Sequence, residues 1–319
     1  MLKILLVKTS SLGDVIHQLP AVTDIRAHFP DAMIDWVVEE NFAELPALHP
    51  GVSRVIPVAV RRWRRALLDP ATWREMALFR KTLQALRYDL VLDSQGLIKS
   101  AAIALLAVGP RCGYDRASVR EAIAALAYDK TIAMSKNLHA VERNRRLAGR
   151  LLGYEPESPV DYGVAIPRAD LPWLGMKPYV VLLHATSRAD KEWPEADWLA
   201  LAARLHASGL RCVLPWGSPL ERARSERLAA QMAEAIVPPR LNLTEAAALL
   251  GKARAVVGVD TGLTHLAAAL NVPVVALYCA SEPGLTGIYS AAPALNLGRW
   301  GQAPRPDEVG AALAGVMAT

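Results

Sequence analysis

Short apolar runs, many of them β-branched, recur along this chain, and nearly every interval between them carries a helical period. No other feature limits the fold as tightly. The runs at 4–8, 33–38, 55–58, 90–93, 179–184, 212–215, 255–259 and 274–278 read as strands. The stretches 15–28, 73–86, 98–106, 140–152, 196–207, 220–233 and 264–270 read as helices. Strands that alternate with helices predict parallel sheets joined by right-handed crossovers, so the expected class is doubly wound α/β. A chain of 319 residues exceeds the usual size of one domain. Five prolines between 155 and 178 interrupt the alternation before it restarts at "YVVLLH". The expected organisation is an N-terminal Rossmann-like domain over 1–160, a Pro-rich linker over 161–178, and a C-terminal Rossmann-like domain over 179–319. A ligand cleft is expected between the two.

Charge is distributed unevenly. Residues 1–160 hold 22 Lys and Arg against 17 Asp and Glu, while residues 161–319 hold 14 of each, so the whole excess lies in the first half. Within it, residues 54–150 carry 19 basic and 8 acidic side chains, including "RRWRR" at 61–65 and "ERNRR" at 142–146. Such clusters fit an anionic partner: nucleic acid, a membrane surface or a phosphorylated substrate. Trp63 is the main aromatic beside them, which argues against single-strand stacking and for no nucleic acid. "MLKILLVK" has only four apolar residues between its lysines, too few for a signal-peptide core. No run approaches the roughly 20 apolar residues of a membrane span. Cys112, Cys212 and Cys279 are far apart and lack metal-ligand spacing, so a reduced, cytoplasmic protein without a metal is expected.

The polar residues of interest cluster where strands give way to helices. In "KTSSLGD" Asp14 follows Gly13 at a helix start, where the helix dipole favours a carboxylate by about 0.3–1 kcal/mol. It either stabilises that start or performs chemistry. "VDTGLTH" (259–265) opens another helix: Gly262 lets an anion approach the free N–H groups, and Thr261 and Thr264 offer hydroxyls. Asp260 has the wrong sign for a phosphate, and orders the turn or meets sugar hydroxyls. "HATSRADKEWP" (184–194) supplies Thr186, Ser187, Arg188 and Lys191, the last either a cation for a leaving diphosphate or a surface charge. In "WGSPLERAR" (216–224) Glu221 accepts from ribose hydroxyls or favours the first helical turn. "LVLDSQGLIKSAAIALL" and "VVGVDTGLTHLAAAL" echo each other, each placing an Asp at a strand end beside a new helix. GxGxxG after a strand, GxxxxGK[ST], HExxH and GxSxG are all missing, so dinucleotide, P-loop, zincin and hydrolase-elbow chemistries lose their main support.

Together "KTSSLGDVIHQLPA", "DSQGLIKSA", "HAVER" (139–143), "HATSRADKEWP" and "VDTGLTHLAAAL" resemble the lipopolysaccharide heptosyltransferases of glycosyltransferase family nine, over residues 1 to about 303. The resemblance implies a GT-B fold, with two Rossmann-like domains facing across a cleft. It implies inverting transfer of L-glycero-D-manno-heptose from ADP-heptose to the Kdo of Kdo-lipid A, without a metal or other cofactor. The place implied is the cytoplasmic face of the inner membrane, with the protein held there peripherally. It makes Asp14 the general base. It assigns Thr186, Ser187, Lys191, Glu221, Leu241, Asp260, Thr261, Gly262 and His265 to the donor, with Leu241 near adenine. Lys8, Ser10, Arg61, Arg62, Arg64, Arg120, His139 and Arg143 are the expected acceptor contacts. Ser187 and Leu241 depart from the Thr and Met familiar in the family. Another core acceptor or nucleotide sugar, and a non-catalytic anion-binding module, are the alternatives.

Overall fold

Lys3–Val7 is buried along its last four residues, on both faces, as a central strand covered by helices on either side must be. In the computed structural model, which describes residues 1–186 and 188–318, it is β1 at the centre of a parallel sheet. The chain divides into two units, Met1–Ser158 and Pro159–Thr319. The first runs β1, α1 (Leu12–Ile16), α2 (Leu19–His28), β2 (Met33–Glu39), α3 (Glu44–Ala47), β3 (Arg54–Val58), α4 (Val60–Trp63), α5 (Pro70–Gln84), β4 (Leu90–Asp93), α6 (Ile98–Leu106), β5 (Arg111–Tyr114), β6 (Lys130–Ile132) and α7 (Ala140–Leu152). Its six strands lie in the order β3-β2-β1-β4-β5-β6, all parallel.

Leu5, Val7, Val37, Ile56 and Val91 on one sheet face pack against Trp63, Phe79 and Leu83. The single helix expected over 15–28 is two, because Pro20 has no N–H to continue the first and sits instead in the opening turn of α2. β5 was not expected: Arg-Cys-Gly-Tyr has no apolar run. Gly113 is required there, since a Cβ would lie 2.5 Å from the Tyr128 ring, which crosses β5 to reach Asp93.

The second unit runs β7 (Tyr179–Leu183), α8 (Glu195–Ala207), β8 (Arg211–Val213), α9 (Pro219–Ala229), α10 (Leu243–Gly251), β9 (Ala255–Val259), α11 (Gly262–Ala269), β10 (Val274–Tyr278), β11 (Ala294–Gly298) and α12 (Pro306–Ala318). Its strands order as β11-β10-β9-β7-β8, again parallel. Trp193 and Trp198 meet edge to face at 4.9 Å in its core. Residues 161–178, expected as a linker, are without helix or strand but anchored to this unit. Tyr162 is buried and donates to the Tyr289 carbonyl at 2.6 Å, and the Leu174 carbonyl accepts from Arg211.

Strand order places the sites. β1 has β2 on one side and β4 on the other, so the chain reverses its direction of travel across the sheet between β1 and β4. β7 lies in the same way between β8 and β9. Loops leaving the two strands diverge at such a switch point, and the crevice they leave is where open α/β sheets bind ligands.

Candidate active site

In the first unit, the loop after β4 grips the loop after β1. The Gln95 carboxamide oxygen accepts from the Thr9 N–H at 2.8 Å and the Ser10 N–H at 3.1 Å, while its amide donates to the Ser10 carbonyl. Lys8 donates to the Ser94 carbonyl at 2.8 Å, and burial pushes its ammonium below the ordinary lysine value against the pull of Asp14 and Asp93. Asp93 is fully buried. Its carboxylate accepts from the Gln95 and Gly96 N–H groups and from the Ser100 and Tyr128 hydroxyls, all within 3.1 Å, and burial drives its pKa up. The acid that ends β4 is therefore a structural anchor.

Asp14 is presented differently. It is the third residue of α1, partly exposed, and its Oδ2 accepts from the Ser11 N–H at 2.9 Å and the Ser11 hydroxyl at 3.2 Å. The capping half of the expectation is thus met by geometry. Arg120 lies 3.6 Å from the same oxygen. Lys99 donates to the Ser10 hydroxyl at 2.7 Å, and burial lowers its pKa. Arg143 donates to the Ser118 carbonyl at 2.7 Å and lies over the Tyr114 ring. His139 caps α7 through Nδ1 and meets His17 edge-on at 5.6 Å. One carboxylate among several cations, at a switch point, suits an anionic ligand that must give up a proton.

The Arg61–Arg64 cluster follows β3 at the same end of the sheet. Arg61 stacks over Phe42, and Arg62 is held by Glu40 at 3.0 Å and Glu75 at 2.9 Å. Arg64 is exposed.

In the second unit, Asp260 follows β9 and Lys191 lies in the loop after β7. Lys191 Nζ is 2.6 Å from Asp260 Oδ2, the Ser281 hydroxyl donates to that oxygen at 2.8 Å, and His265 Nε2 is 3.8 Å from Oδ1. Burial raises the Asp260 pKa, but His265, Lys191 and Ser281 outweigh it and hold the carboxyl well below the usual range. Thr186 donates to the Asp260 carbonyl at 3.1 Å. Thr264 turns inward to the Val259 carbonyl at 2.7 Å, whereas Thr261, the residue before α11, makes no side-chain cap. The Thr264 N–H donates to the Thr261 carbonyl at 3.1 Å, which leaves the first two N–H groups of α11, those of Gly262 and Leu263, for an anion. Glu221 closes a capping box on α9: its Oε2 accepts from the Gly217 and Ser218 N–H groups at 2.7 and 3.2 Å. Leu241 is half-buried just ahead of Asn242, the N-cap of α10. Ser187 lies outside the described residues.

Arg224, in α9, clamps the loop that carries Thr186 and Lys191. Its guanidinium donates to the His184 carbonyl at 3.0 Å and the Trp193 carbonyl at 2.8 Å, one at each end of the loop, and pairs with Glu192. His184 itself is fully buried, 2.7 Å from the Ser225 hydroxyl, and burial together with Arg224 pushes its pKa down to about 4. A histidine in the unfolded chain titrates near 6.5. As pH falls through that window the unfolded chain takes up the proton and the folded one does not, so stability is lost. Urea unfolding should show a fall of about 2–3 kcal/mol between pH 7 and pH 4.5 that His184→Gln lacks. Equal acid sensitivity in both proteins would contradict this.

Two site-lining groups were not anticipated, Lys99 and Ser281. Lys99 had a signal: aligning Gly96-Leu97 with Gly262-Leu263 in the two echoing stretches sets Lys99 against His265. Ser281, like Arg224, comes from a distant element and had none. Among the described residues there is no cluster of three or more His, Cys, Asp or Glu suited to a metal ion. None of the helices there is long and apolar enough to cross a membrane.

Known proteins share this architecture. The sequence model of glycosyltransferase family 9 (heptosyltransferase) matches residues 76–307. Lipopolysaccharide heptosyltransferase 1 of Salmonella typhimurium is 47% identical over 290 residues, covering 90% of this chain and 92% of that one. The solved structure of the E. coli heptosyltransferase WaaC with ADP superposes with a TM-score of 0.89 at 42% identity, covering 99% of both chains. The same enzyme with ADP-2-deoxy-2-fluoro heptose superposes at 0.86, again at 42% identity, covering 98% of both.

Proposed function

Since the chain belongs to glycosyltransferase family 9, the heptosyltransferases, we propose that its two switch-point sites divide one reaction between them. The chain is a GT-B type transferase that moves heptose in the assembly of the lipopolysaccharide core. Its substrate is a nucleotide sugar, ADP-L-glycero-D-manno-heptose, held by the second unit. The acceptor is the Kdo of Kdo-lipid A, held by the first unit at the inner face of the inner membrane.

The observation that carries this reading is the Lys191–Asp260 pair, 2.6 Å apart beside the uncapped start of α11. Diphosphate oxygens would be met by the Lys191 ammonium, the Thr261 hydroxyl and the Gly262 and Leu263 N–H groups. His265 and Asp260 would face the sugar side, Glu221 the ribose, and Leu241 the adenine, with Thr186 fixing the Asp260 turn. In the first unit the acceptor's carboxylates and phosphates would meet Lys8, Arg61, Arg62, Arg64, Arg120 and Arg143, with Ser10 and His139 as hydrogen-bonding partners.

The acceptor hydroxyl oxygen attacks the anomeric carbon from the face opposite the diphosphate. The new C–O bond forms as the bond to ADP breaks, which inverts the centre, and the hydroxyl proton passes to Asp14. The charge gathering on the departing ADP is stabilised by Lys191 and the α11 terminus, donors already oriented before reaction.

The test is direct. Purified protein, ADP-heptose and Kdo-lipid A should yield a product heavier by one heptose, with inverted anomeric configuration. Transfer only from another nucleotide sugar, or only to a longer core acceptor, would overturn the substrate assignment.

A further inference from the structure

Arg224 is only 8% exposed, and the reaction as drawn gives it no part. A buried guanidinium is costly to desolvate and adds little net stability over an apolar side chain of similar volume, so stability alone does not account for it. Its position does. Arg224 and Glu221 lie one turn apart on α9, the first turned to the loop after β7 and the second closing the cap at the helix start. Nη1 donates to the His184 carbonyl at 3.0 Å and Nη2 to the Trp193 carbonyl at 2.8 Å, so one planar fork spans both ends of the loop. Both ends are also fixed in the core. The Ser225 hydroxyl lies 2.7 Å from His184 Nε2, and the Trp193 indole donates to the Pro304 carbonyl at 2.8 Å. Between them the chain turns tightly, with the Lys191 N–H donating to the Arg188 carbonyl and the Glu192 N–H to the Ala189 carbonyl, each at 3.1 Å. Arg224 also pairs with Glu192, and so neutralises a carboxylate next to the cation that has to meet an anion.

We propose that Arg224 is a positioning residue for heptose transfer: its fork sets the loop so that the Lys191 ammonium stands ready for the diphosphate, while Glu221 on the same helix takes the ribose. α9 then joins the nucleoside and diphosphate halves of the donor site into one rigid body. A displacement of about 1 Å at a reacting group can cost about 10²-fold in rate, which is the scale on which such a clamp acts. Lysine cannot replace it. An ammonium keeps a charge for Glu192 but lacks the planar fork that bridges two carbonyls. The inference rests on the donor assignment of Lys191 and Glu221 made above.

The full-length protein is to be compared as parent, Arg224→Lys, Lys191→Met and the double variant, each well below its own unfolding midpoint. Arg224→Lys should lower kcat for transfer by a factor of about 10 to 10², with the acceptor KM within about twofold of the parent. In calorimetry it should weaken ADP about fivefold. In the Lys191→Met background the same change should cost less than about twofold in both readouts, because the group it positions is gone. A residue that only stabilises the fold would lower the midpoint and cost the same factor in both backgrounds, which would overturn the proposal. So would a kcat for Arg224→Lys within about twofold of the parent. Arg224→Ala, refolded with guanidinium present, supplies an independent reading should the lysine variant not fold. Guanidinium should restore its kcat where methylammonium, of the same charge, does not, and equal restoration by the two ions would overturn the fork. A parent that binds ADP yet transfers no heptose would remove the reaction proposed above, and the comparison of ADP affinities would still decide Arg224.

Discussion

Asp14→Asn is expected to lower kcat for heptose transfer by about 10²–10⁴, the usual contribution of a positioned base, while donor affinity and the thermal midpoint stay near those of the parent. The separation of effects follows from what the side chain does in the fold. An asparagine oxygen can still accept from the Ser11 N–H, as the Asp14 carboxylate does at 2.9 Å, so the α1 cap survives. It cannot take a proton. Asp14→Ala removes both functions and should cost about 1 kcal/mol of stability as well. Turnover by Asp14→Asn close to the parent would remove Asp14 as the base and leave it as a cap alone.

Lys191→Met is expected to cost about 10²–10³ in kcat/KM for ADP-heptose, because the departing diphosphate loses a side-chain cation placed beside α11. Inhibition by ADP should weaken with it. The variant also strips Asp260 of a partner that holds its pKa down. A carboxylate with a depressed folded-state pKa stabilises the fold fully above the unfolded value near 3.9, and that stability is lost as pH falls through the folded value. Raising the Asp260 pKa should therefore move acid unfolding of the variant to higher pH. A kcat/KM within threefold of the parent would show that the lysine serves only to neutralise Asp260.

Much of this was legible along the chain. The parallel α/β class, the division into two units near residue 160, and helices 98–106 and 140–152 follow from patterns confined to a dozen neighbours. Helix starts are equally local, which is why Asp14, Gly262 and Glu221 stood out. β5, β6 and β11 were missed because Arg-Cys-Gly-Tyr, Lys-Thr-Ile and Ala-Leu-Asn-Leu-Gly form strands only by lying beside β4, β5 and β10. The two echoing stretches are instructive: Asp93 and Asp260 occupy matching places, yet one is sealed under Tyr128 and the other opens toward Lys191 and Ser281. Nothing in the local pattern separates them.

The sequence by itself determined most of the central strands and the helices between them, several helix starts, and that the positive charge belongs to the first half. Those properties depend on side chains within a turn or two of each other. Only the tertiary structure decided which strand ends meet. β1 sits between β2 and β4, and β7 between β8 and β9, and from that order alone come the Gln95 grip on Ser10, the Arg224 clamp on the loop after β7, and the Lys191–Asp260 pair. Each joins groups 31 to 85 positions apart in the chain. The physical reason is that strand order is a property of how whole units bury their sheet faces, and it is not carried by any one segment.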